Sequence, residues 1–331
     1  MKTMKALILK SAGGSENLEF SEVPIPPIEA GQVLVEVAAT SVNPIDIKIR
    51  EGLPVGPQLP SSIGCDVAGT VREVGPGVTA FRVGDQVFGC AAGVKGMGGA
   101  MAQFVAADAR LLALAPRSLP LADAAALALI GITASEGLRR SQVKEGEWVL
   151  IQGGNGGVGH LALQLALARG ARVAASVRSE DGARIARELG AHEVIVGDES
   201  AHRVAEIQRI TAGKGFDVVF DTVGGASLDA ALQAAAINGR VAAIAARSTH
   251  DLSPMHAKGL TLNVVFMLIP LLHDVGRERH GQTLSELADL VDAGKVKVRI
   301  DPTPFDLAHA GAAQDFFSSG NSRGKVVIRV A

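Results

Sequence analysis

The chain has 331 residues, 47% of them hydrophobic, which is enough for two domains with buried cores. Its 32 Lys and Arg and 34 Asp and Glu give a net charge of -2, which argues against nucleic acid as a partner. Cys65 and Cys90 form neither a CxxC pair nor a disulfide framework, the amino-terminal apolar stretch is shorter than a signal-peptide core, and the run 264–272 is too short to span a bilayer. We therefore expect a cytoplasmic protein without a membrane partner.

The first 115 residues predict a β-rich domain. Short runs of apolar and β-branched residues alternate there with Gly, Pro and Asp turns. The predicted strands are KALILK (5–10), LEFSEVPIP (18–26), QVLVEVAAT (32–40), DVAGTVREV (66–74), DQVFGC (85–90) and AQFVAAD (102–108).

From about residue 122 the pattern changes to helical, alanine-rich stretches and then to alternating strands and helices. The predicted strands are WVLIQG (148–153), ARVAASV (171–177), EVIVGD (193–198), DVVFDTV (217–223), RVAAIA (240–245) and TLNVVFML (261–268), with helices starting at Gly157, Asp181, Ser200 and Ser227. Helices of this length between strands require parallel pairing with right-handed crossovers. The pattern predicts a doubly wound parallel sheet.

The last segment, from about residue 269, predicts an amphipathic helix at 284–294, a strand at 295–300 and a final strand at 324–330. The run 264–272 predicts a buried strand and turn. Because this segment is too short for a domain of its own, we expect it to pack on the first domain.

The stretch QGGNGGVGH (152–160) lies between a predicted strand and a predicted helix and satisfies the pattern GxGxxG. Glycines at these positions allow a tight turn, backbone approach to a pyrophosphate and close packing of helix on strand. The helix amino terminus then faces the bound anion. The predicted dinucleotide contacts in this stretch are Gly154, Asn155, Gly156, Gly157, Val158 and Gly159.

The end of the next strand predicts which dinucleotide is bound. An NAD site has Asp or Glu there, whereas Val177 is followed here by Arg178 and Ser179. An arginine can form charge-assisted hydrogen bonds to a 2′-phosphate, so the sequence favours NADPH. The alternatives are a solvated Arg178, an Arg178 paired with Glu180 or Asp181, or a contact of Glu180 or Asp181 with the ribose.

The sequence resembles the medium-chain dehydrogenase/reductase superfamily, and within it the zinc-independent quinone oxidoreductase (zeta-crystallin-like) branch. The resemblance spans nearly the whole chain and is carried by SVNPIDIKIR (41–50), IGCDVAGTV (63–71), FRVGDQVFG (81–89), IGITASEGL (130–138), GGNGGVGHLALQLA (153–166), ELGAHEV (188–194), FDTVGG (220–225) and GKVVI (324–328). It implies an α/β fold with a GroES-like β-rich catalytic domain, residues 1–122 and 267–331, and a doubly wound parallel-sheet Rossmann domain, residues 123–266.

Zinc is not expected. In zinc-dependent members of the superfamily the first catalytic cysteine falls at Asn43 and the His-Glu pair falls at Cys65 and Asp66, and a catalytic zinc needs three protein ligands. The run 89–102 is also too short for a structural-zinc lobe. We therefore predict no metal.

Three residues are predicted to act on the substrate or near the nicotinamide. Asn43, followed by Pro44, predicts a helix start; by the resemblance it lies at the cleft between domains and donates to a substrate carbonyl, or it only caps the helix. Relatives commonly carry a tyrosine at the position of Lys48, and this chain has none, so Lys48 is either a proton donor or a solvated lysine. Thr133 resembles the threonine that bonds the cofactor, the alternative being a helix threonine with a backbone partner.

Asp46 and Arg50, four residues apart, are predicted to form a surface or supporting ion pair. The remaining predicted cofactor contacts follow from strand ends and from the resemblance. They are His192, Thr222, Val223, Ile244, Ala245, Phe266, Met267, Arg323 and Lys325. For Phe266 and Met267 simple core packing is the alternative, for Arg323 and Lys325 solvated charge, and His192 is expected to cap a strand entry.

The resemblance implies an NADPH-dependent enzyme that transfers hydride to a quinone or an α,β-unsaturated carbonyl. It also implies a homodimer, for which we expect the edge strand TLNVVF (261–266) to form the interface. Two alternatives stay open. One is an enoyl-thioester reductase, and the other is a non-catalytic NADPH-binding sensor.

Overall fold

The computed structural model describes residues 2–330. Its strands are β1 (Thr3–Leu9), β2 (Leu18–Pro24), β3 (Gln32–Ser41), β4 (Ser61–Ser62), β5 (Asp66–Val74), β6 (Gln86–Cys90), β7 (Phe104–Asp108), β8 (Leu112–Leu114), β9 (Trp148–Gln152), β10 (Arg172–Val177), β11 (Glu193–Val196), β12 (Phe216–Asp221), β13 (Ala235–Ala243), β14 (Thr261–Val264), β15 (Phe305–Asp306) and β16 (Val327–Arg329).

The α-helices are α1 (Pro44–Arg50), α2 (Leu121–Ala124), α3 (Ala128–Arg140), α4 (Gly157–Ala168), α5 (Glu180–Glu188), α6 (Ser200–Thr211), α7 (Ala226–Ala234), α8 (Ser253–Lys258), α9 (Ile269–His273), α10 (Glu278–Asp292) and α11 (Ala310–Ser318). One 3-10 turn, Ala125–Leu127, joins α2 to α3.

The chain forms two compact units. Unit 1 comprises the chain up to Leu129, Leu268–Gly294 and the chain from Val298 onward, and unit 2 comprises Ile130–Met267 and Lys295–Lys297. The domain limits inferred from the sequence, with changes at 122/123 and 266/267, stay a prediction about folding domains.

Unit 1 is mainly antiparallel. β3 is its central strand: it pairs with β5, with β7 along residues 32–36 and with β16 along residues 39–41. A separate three-stranded sheet has the order β2-β1-β4. Helix α1 begins where Asn43 leaves extended backbone and Pro44 takes the first helical position, and this resolves the strand-like alternation of its isoleucines in favour of a helix.

Unit 2 is a parallel six-stranded sheet in the order β11-β10-β9-β12-β13-β14. Strands β10 and β11 lie on one side of β9, and β12, β13 and β14 lie on the other, so the strand order reverses between β9 and β12. Doubly wound sheets bind ligands at such a reversal, beyond the carboxyl ends of the strands. The sheet packs on helices through a buried apolar core that includes Leu150, Phe216 and Leu232. This mixed α/β architecture, with a β-rich unit and a doubly wound parallel sheet, confirms the predicted fold class.

Several local predictions were wrong. Residues 295–300 form no strand but a loop with one bridge from Ile300 to Lys325. The run 264–272 leaves the sheet after Val264 and continues into the short helix α9, which has Pro270 in its first turn. Helix α11 was not predicted at all. These errors share a cause, because short apolar alternation cannot distinguish a strand from a loop or helix that packs on neighbouring elements.

The helical stretch Leu121–Arg140 is long and apolar enough, by length and composition, to cross a membrane. Of its most apolar window, 72% is buried inside the protein, which is typical of a core helix.

Candidate functional site

The predicted cofactor residues of unit 2 follow the carboxyl ends of five neighbouring strands. They are Gly154–Gly159 after β9, Arg178 and Ser179 after β10, Thr222 and Val223 after β12, Ile244 and Ala245 after β13, and Phe266 and Met267 after β14. Because all six strands are parallel, these segments share one edge of the sheet.

Close contacts at this edge of the sheet leave no room for a side chain at Gly154 or Gly159. A Cβ atom on Gly159 would lie 2.0 Å from the carbonyl oxygen of Gly153, and one on Gly154 would lie 2.7 Å from Cβ of Ala175. Gly153 itself has a φ of 72°, which favours glycine. The first and third glycines of GxGxxG therefore allow the turn and the packing of α4 on the sheet.

The loop leaves several hydrogen-bond donors free. Gly153 N and Gly154 N donate to Ser176 O at 3.0 and 3.2 Å, and Gly156 N donates to Gly153 O at 2.9 Å. Within residues 2–330, the next amides have no acceptor; they belong to Asn155, Gly157, Val158 and Gly159. Free amides at the start of a twelve-residue helix, with the positive end of its dipole, are an arrangement that can bind an anion.

Arg178 is exposed directly after β10, and its guanidinium makes no ion pair or hydrogen bond with any described residue. Glu180 lies 3.9 Å from Arg187, and Asp181 pairs with Arg184 at 2.7 Å, so neither neutralises Arg178. The predicted alternative of a local ion pair is therefore wrong. Ser179 caps α5, and its hydroxyl accepts from Gly182 N at 3.2 Å.

The following strand ends lie beside the glycine loop. Thr222 Oγ1 donates to Gln152 O at 2.6 Å, and a Cβ on Gly153 would lie 3.0 Å from Val223. Ile244 N donates to Asp221 O at 3.3 Å, and a Cβ on Gly224 would lie 2.7 Å from Cβ of Ala245. The tertiary structure thus brings these predicted residues together.

The last two predicted strand-end residues, Phe266 and Met267, differ in exposure. Met267 is buried and Phe266 is half-buried. Thr133 is buried in the first turns of α3. Their predicted contacts with a cofactor stay predictions.

His192 is not at this edge. Its Nδ1 accepts from Val173 N at 3.0 Å, and its own N–H donates to Val173 O at 2.9 Å, so it lies where β10 and β11 begin. The amino ends of parallel strands are at the opposite edge from the glycine loop. The predicted cofactor contact of His192 is therefore wrong, whereas its predicted place at a strand entry is confirmed.

Unit 1 holds a different arrangement, in which buried charges bind one another. Asn43 is fully buried; its Nδ2 donates to Asp66 Oδ2 at 2.7 Å and its Oδ1 accepts from Lys325 Nζ at 2.6 Å. Ser41 Oγ also donates to Asp66 Oδ2, at 2.5 Å. Both ends of the Asn43 amide are therefore occupied, and the predicted donation to a substrate carbonyl is not what this structure shows.

The carboxylates of the network, Asp46 and Asp66, accept several hydrogen bonds. Asp66 Oδ1 accepts from Leu129 N at 2.8 Å, while Asp46 accepts from Asn43 N at 2.8 Å and from Cys65 N at 3.0 Å. Burial, and then the charge of Asp66, raise the pKa of Asp46 to about 6.

Lys325 is the cation of this network. Its side chain is 3% exposed. The ammonium donates to Val42 O at 2.8 Å and to Asn43 Oδ1, and it lies 3.8 Å from Asp66 Oδ2. Burial lowers its pKa, against the attraction of the two carboxylates. The predicted phosphate contact of Lys325 is wrong, because its donors point into the interior. Arg323, by contrast, is exposed, and its predicted phosphate contact stays a prediction.

Two further predictions concern residues of helix α1, Lys48 and Arg50. Lys48 is exposed, and no described residue forms an ion pair or hydrogen bond with its ammonium. Arg50 is buried and pairs with Asp315 at 3.0 Å instead of with Asp46, which is itself buried. The predicted Asp46–Arg50 ion pair is wrong.

Sequence reasoning missed the roles of Ser41, Asp46 and Asp66. One signal was available: Asp46 stands three residues after Asn43, the spacing at which a side chain reaches back to the amide of the helix cap. The partners of Asp66 lie 23, 25 and 63 residues away along the chain, for Asn43, Ser41 and Leu129, so no local pattern predicts them.

This network does not suit zinc. The ammonium of Lys325 already bonds to Asn43 Oδ1 and faces Asp66, so a metal ion there would meet a positive charge. The hydrogen bond with Cys90, and then burial, raise the pKa of the Cys65 thiol well above its ordinary value, whereas a zinc ligand must be a thiolate. Among residues 2–330, no group of three or more His, Cys, Asp and Glu side chains could hold a metal.

Known proteins share this architecture. Residues 29–117 match the model of the alcohol dehydrogenase GroES-like domain, and residues 157–271 match that of the zinc-binding dehydrogenases. A quinone oxidoreductase of Rattus norvegicus is 31% identical over 99% of this chain and 98% of its own length. The chloroplastic NADPH-dependent alkenal/one oxidoreductase of Arabidopsis thaliana is 32% identical over 99% of this chain and 80% of its own.

Solved structures show the same fold. An alcohol dehydrogenase superfamily protein from Novosphingobium aromaticivorans has a TM-score of 0.94 and 44% identity, with 99% of this chain and all of that chain covered. A mycobacterial protein complexed with NADPH has a TM-score of 0.85 and 31% identity, with 98% and 100% covered. The fold and the site thus define a dehydrogenase of two units, and the chain belongs to the medium-chain dehydrogenase/reductase superfamily, in its quinone oxidoreductase branch.

Proposed function

We propose that this protein is an oxidoreductase that reduces quinones or α,β-unsaturated carbonyl compounds with NADPH, without a metal. The observation that carries the proposal is the edge of the parallel sheet, where four free amides and a free arginine follow adjacent strands. The names of the relatives, quinone oxidoreductase and NADPH-dependent alkenal/one oxidoreductase, supply the substrate class.

The residues of this edge fit a phosphorylated dinucleotide. The amides of Asn155, Gly157, Val158 and Gly159 would bind the pyrophosphate, and Arg178, with the Ser179 hydroxyl, would bind a 2′-phosphate. When bound, NADPH would supply the hydride. Ile244, Ala245 and Phe266 would contact the nicotinamide end, as would Thr133.

The reduced oxygen or carbon must also take up a proton. With no tyrosine in the sequence, the exposed ammonium of Lys48 is the donor that we propose. The fit of the buried network to a lysine ammonium instead of a metal ion supports zinc-free chemistry.

Consumption of NADPH tests the proposal. The assay compares 1,2-naphthoquinone, 9,10-phenanthrenequinone, simple alkenones and crotonyl thioester, each with purified protein treated with a chelator. We expect turnover of quinones or alkenones. Turnover of the thioester alone would indicate an enoyl-thioester reductase, and binding of NADPH without turnover would indicate a sensor; either result would overturn the proposal.

We also propose a cytoplasmic homodimer that pairs through β14. This strand is at the edge of the six-stranded sheet, and Val264 is 47% exposed there. Light scattering after chromatography should give the mass of two chains, and Val264→Lys should shift the protein toward the monomer. A monomeric wild-type protein would contradict this assembly.

A further inference from the structure

A second set of reactive side chains lies in unit 2, outside the residues proposed to hold the dinucleotide. Ser248 Oγ lies 2.6 Å from His250 Nε2, and His250 Nδ1 lies 2.8 Å from Asp229 Oδ1. Asp229 is on α7, whereas Ser248 and His250 are in the loop that follows β13. The nucleophile, base and carboxylate are thus in hydrogen-bonded order.

The hydrogen bonds fix the direction of proton transfer. A carboxylate only accepts, so Nδ1 of His250 carries the proton that it donates to Asp229. In the neutral imidazole, Nε2 then has a free lone pair and accepts from the Ser248 hydroxyl. This tautomer activates a serine, because the base can remove its proton while the carboxylate stabilises the resulting imidazolium.

The exposure of the three side chains suits the same chemistry. Ser248 is exposed and can reach a substrate, while the His250 side chain is only 9% exposed and is therefore held in place. In the described part of the chain, the N–H groups of Ser248 and Thr249 have no acceptor. Unpaired amides beside a nucleophile are the groups that can stabilise the oxyanion of an acyl-transfer intermediate.

We propose that Ser248, His250 and Asp229 form an esterase centre that hydrolyses carboxylic esters with short acyl groups and good leaving groups. Ser248 Oγ bonds to the carbonyl carbon as its proton moves to His250 Nε2. The bond to the leaving oxygen then breaks, and that oxygen takes the proton from Nε2. Water repeats the two steps on the acyl-serine, which releases the acid and restores the serine. Asp229 acts as a positioning residue.

Covalent labelling tests the nucleophile in the unmodified full-length protein. A fluorophosphonate probe reacts with activated serines, and peptide mass spectrometry locates the adduct. We expect the label on Ser248, and hydrolysis of p-nitrophenyl acetate faster than by an equal concentration of denatured protein. An unlabelled Ser248 in the wild-type protein would overturn the proposal without requiring any variant.

Substitutions then separate catalysis from a structural role of the loop. Ser248→Ala should abolish labelling, and His250→Asn should lower the esterase rate on the order of 100-fold, the usual worth of a general base. The matched controls are Ser253→Ala and His256→Asn. Ser253 is an exposed serine bonded to Asp251 at 2.6 Å instead of to a histidine, and His256 is exposed.

The separate effects on kcat and KM give a readout that a change in loop packing would not produce. His250→Asn should lower kcat for p-nitrophenyl acetate while its KM stays close to the wild-type value. Equal ester hydrolysis by the wild-type protein, Ser248→Ala and Ser253→Ala would overturn the proposal.

Discussion

The edge of the parallel sheet in unit 2 and the buried network of unit 1 both contain residues that the sequence placed in the active site, yet they differ in how their polar groups are satisfied. At the sheet edge, loop amides and the guanidinium of Arg178 have no partner among the residues described. In the network, Asn43, Asp66 and Lys325 bind one another and are shielded from water.

This contrast between unpaired and paired polar groups indicates which of them are available to a ligand. A surface donor without a protein partner exchanges a bond to water for a charge-assisted bond to the anion, whereas a buried group must first break a bond within the protein. We therefore expect substitutions at the sheet edge to change ligand binding and substitutions in the network to change stability. Substitutions in both regions, and the pH dependence of stability, test this division.

Removal of the network's cation should have the largest effect. Lys325→Met leaves Asp66 and Asp46 buried without their cation and Asn43 Oδ1 without its donor, so we expect a loss of about 3–5 kcal/mol in the free energy of unfolding. Urea denaturation measures it. The control is Arg323→Met, an exposed arginine two residues earlier, which should change stability by less than about 0.5 kcal/mol. Equal stability of the two variants would contradict the network.

The pH dependence of stability tests the same network. The pKa of Asp46 is raised from 3.8 to about 6 on folding, so the folded protein holds more protons than the unfolded chain between these pH values. The contribution of Asp46 is therefore complete below pH 4 and is lost as pH rises through 6, by about 3 kcal/mol.

Denaturation of the wild-type protein and of Asp46→Asn across pH 4–7 isolates this contribution. The wild-type protein should lose stability relative to the variant as pH rises. A difference that does not change with pH would show that Asp46 titrates at its ordinary value.

At the sheet edge, the glycines should separate folding from binding. Gly159→Ala places a Cβ 2.0 Å from Gly153 O, so it should weaken NADPH binding on the order of 100-fold and also lower the melting temperature. In Gly156→Ala the new Cβ lies 3.2 Å from the same oxygen. We expect this second variant to keep its melting temperature and lose affinity, because the position must admit the pyrophosphate. Unchanged affinity in both would remove the loop from the site.

The guanidinium of Arg178 should select the dinucleotide. Arg178→Ala removes a charge-assisted contact, so NADPH should bind about 10- to 100-fold more weakly while the affinity for NADH stays the same. Fluorescence titration with both cofactors measures this. Arg247→Ala, another exposed arginine at this edge, is the comparison. Equal wild-type affinities for NADPH and NADH would show that Arg178 does not select the cofactor.

Lys48→Met should have the smallest effect. The side chain is exposed and unpartnered, so we expect no change in stability and a fall of about tenfold in kcat, since water can partly replace an exposed proton donor. The KM for NADPH should stay constant. Unchanged kcat would exclude Lys48 from the mechanism.

How far the sequence could predict the molecule depended on the range of the interactions involved. Strands β9 to β13, helices α4 to α7 and the glycine loop of unit 2 follow from local periodicity and turn chemistry, and these predictions were confirmed to within about five residues. Helix α8 was not predicted, and β14 ends four residues before the predicted strand does. The local cap at Asn43 and Pro44 likewise predicted α1 correctly. The strand at 295–300 and the missing helix α11 show the limit, because packing on distant segments decided both.

Local sequence was thus enough to predict the doubly wound sheet, the position of the glycine loop and the family, because each depends on residues within one strand-turn-helix unit or on motifs in order along the chain. Which charged residues lack a protein partner is evident only in the folded structure. Lys325 lies 282 residues from Asn43 along the chain and is buried against it, whereas Arg178 stays exposed. Whether a charged side chain is buried and paired depends on which distant segments of the chain pack together in the fold. This packing gives Lys325 a structural role and leaves Arg178 available to a ligand.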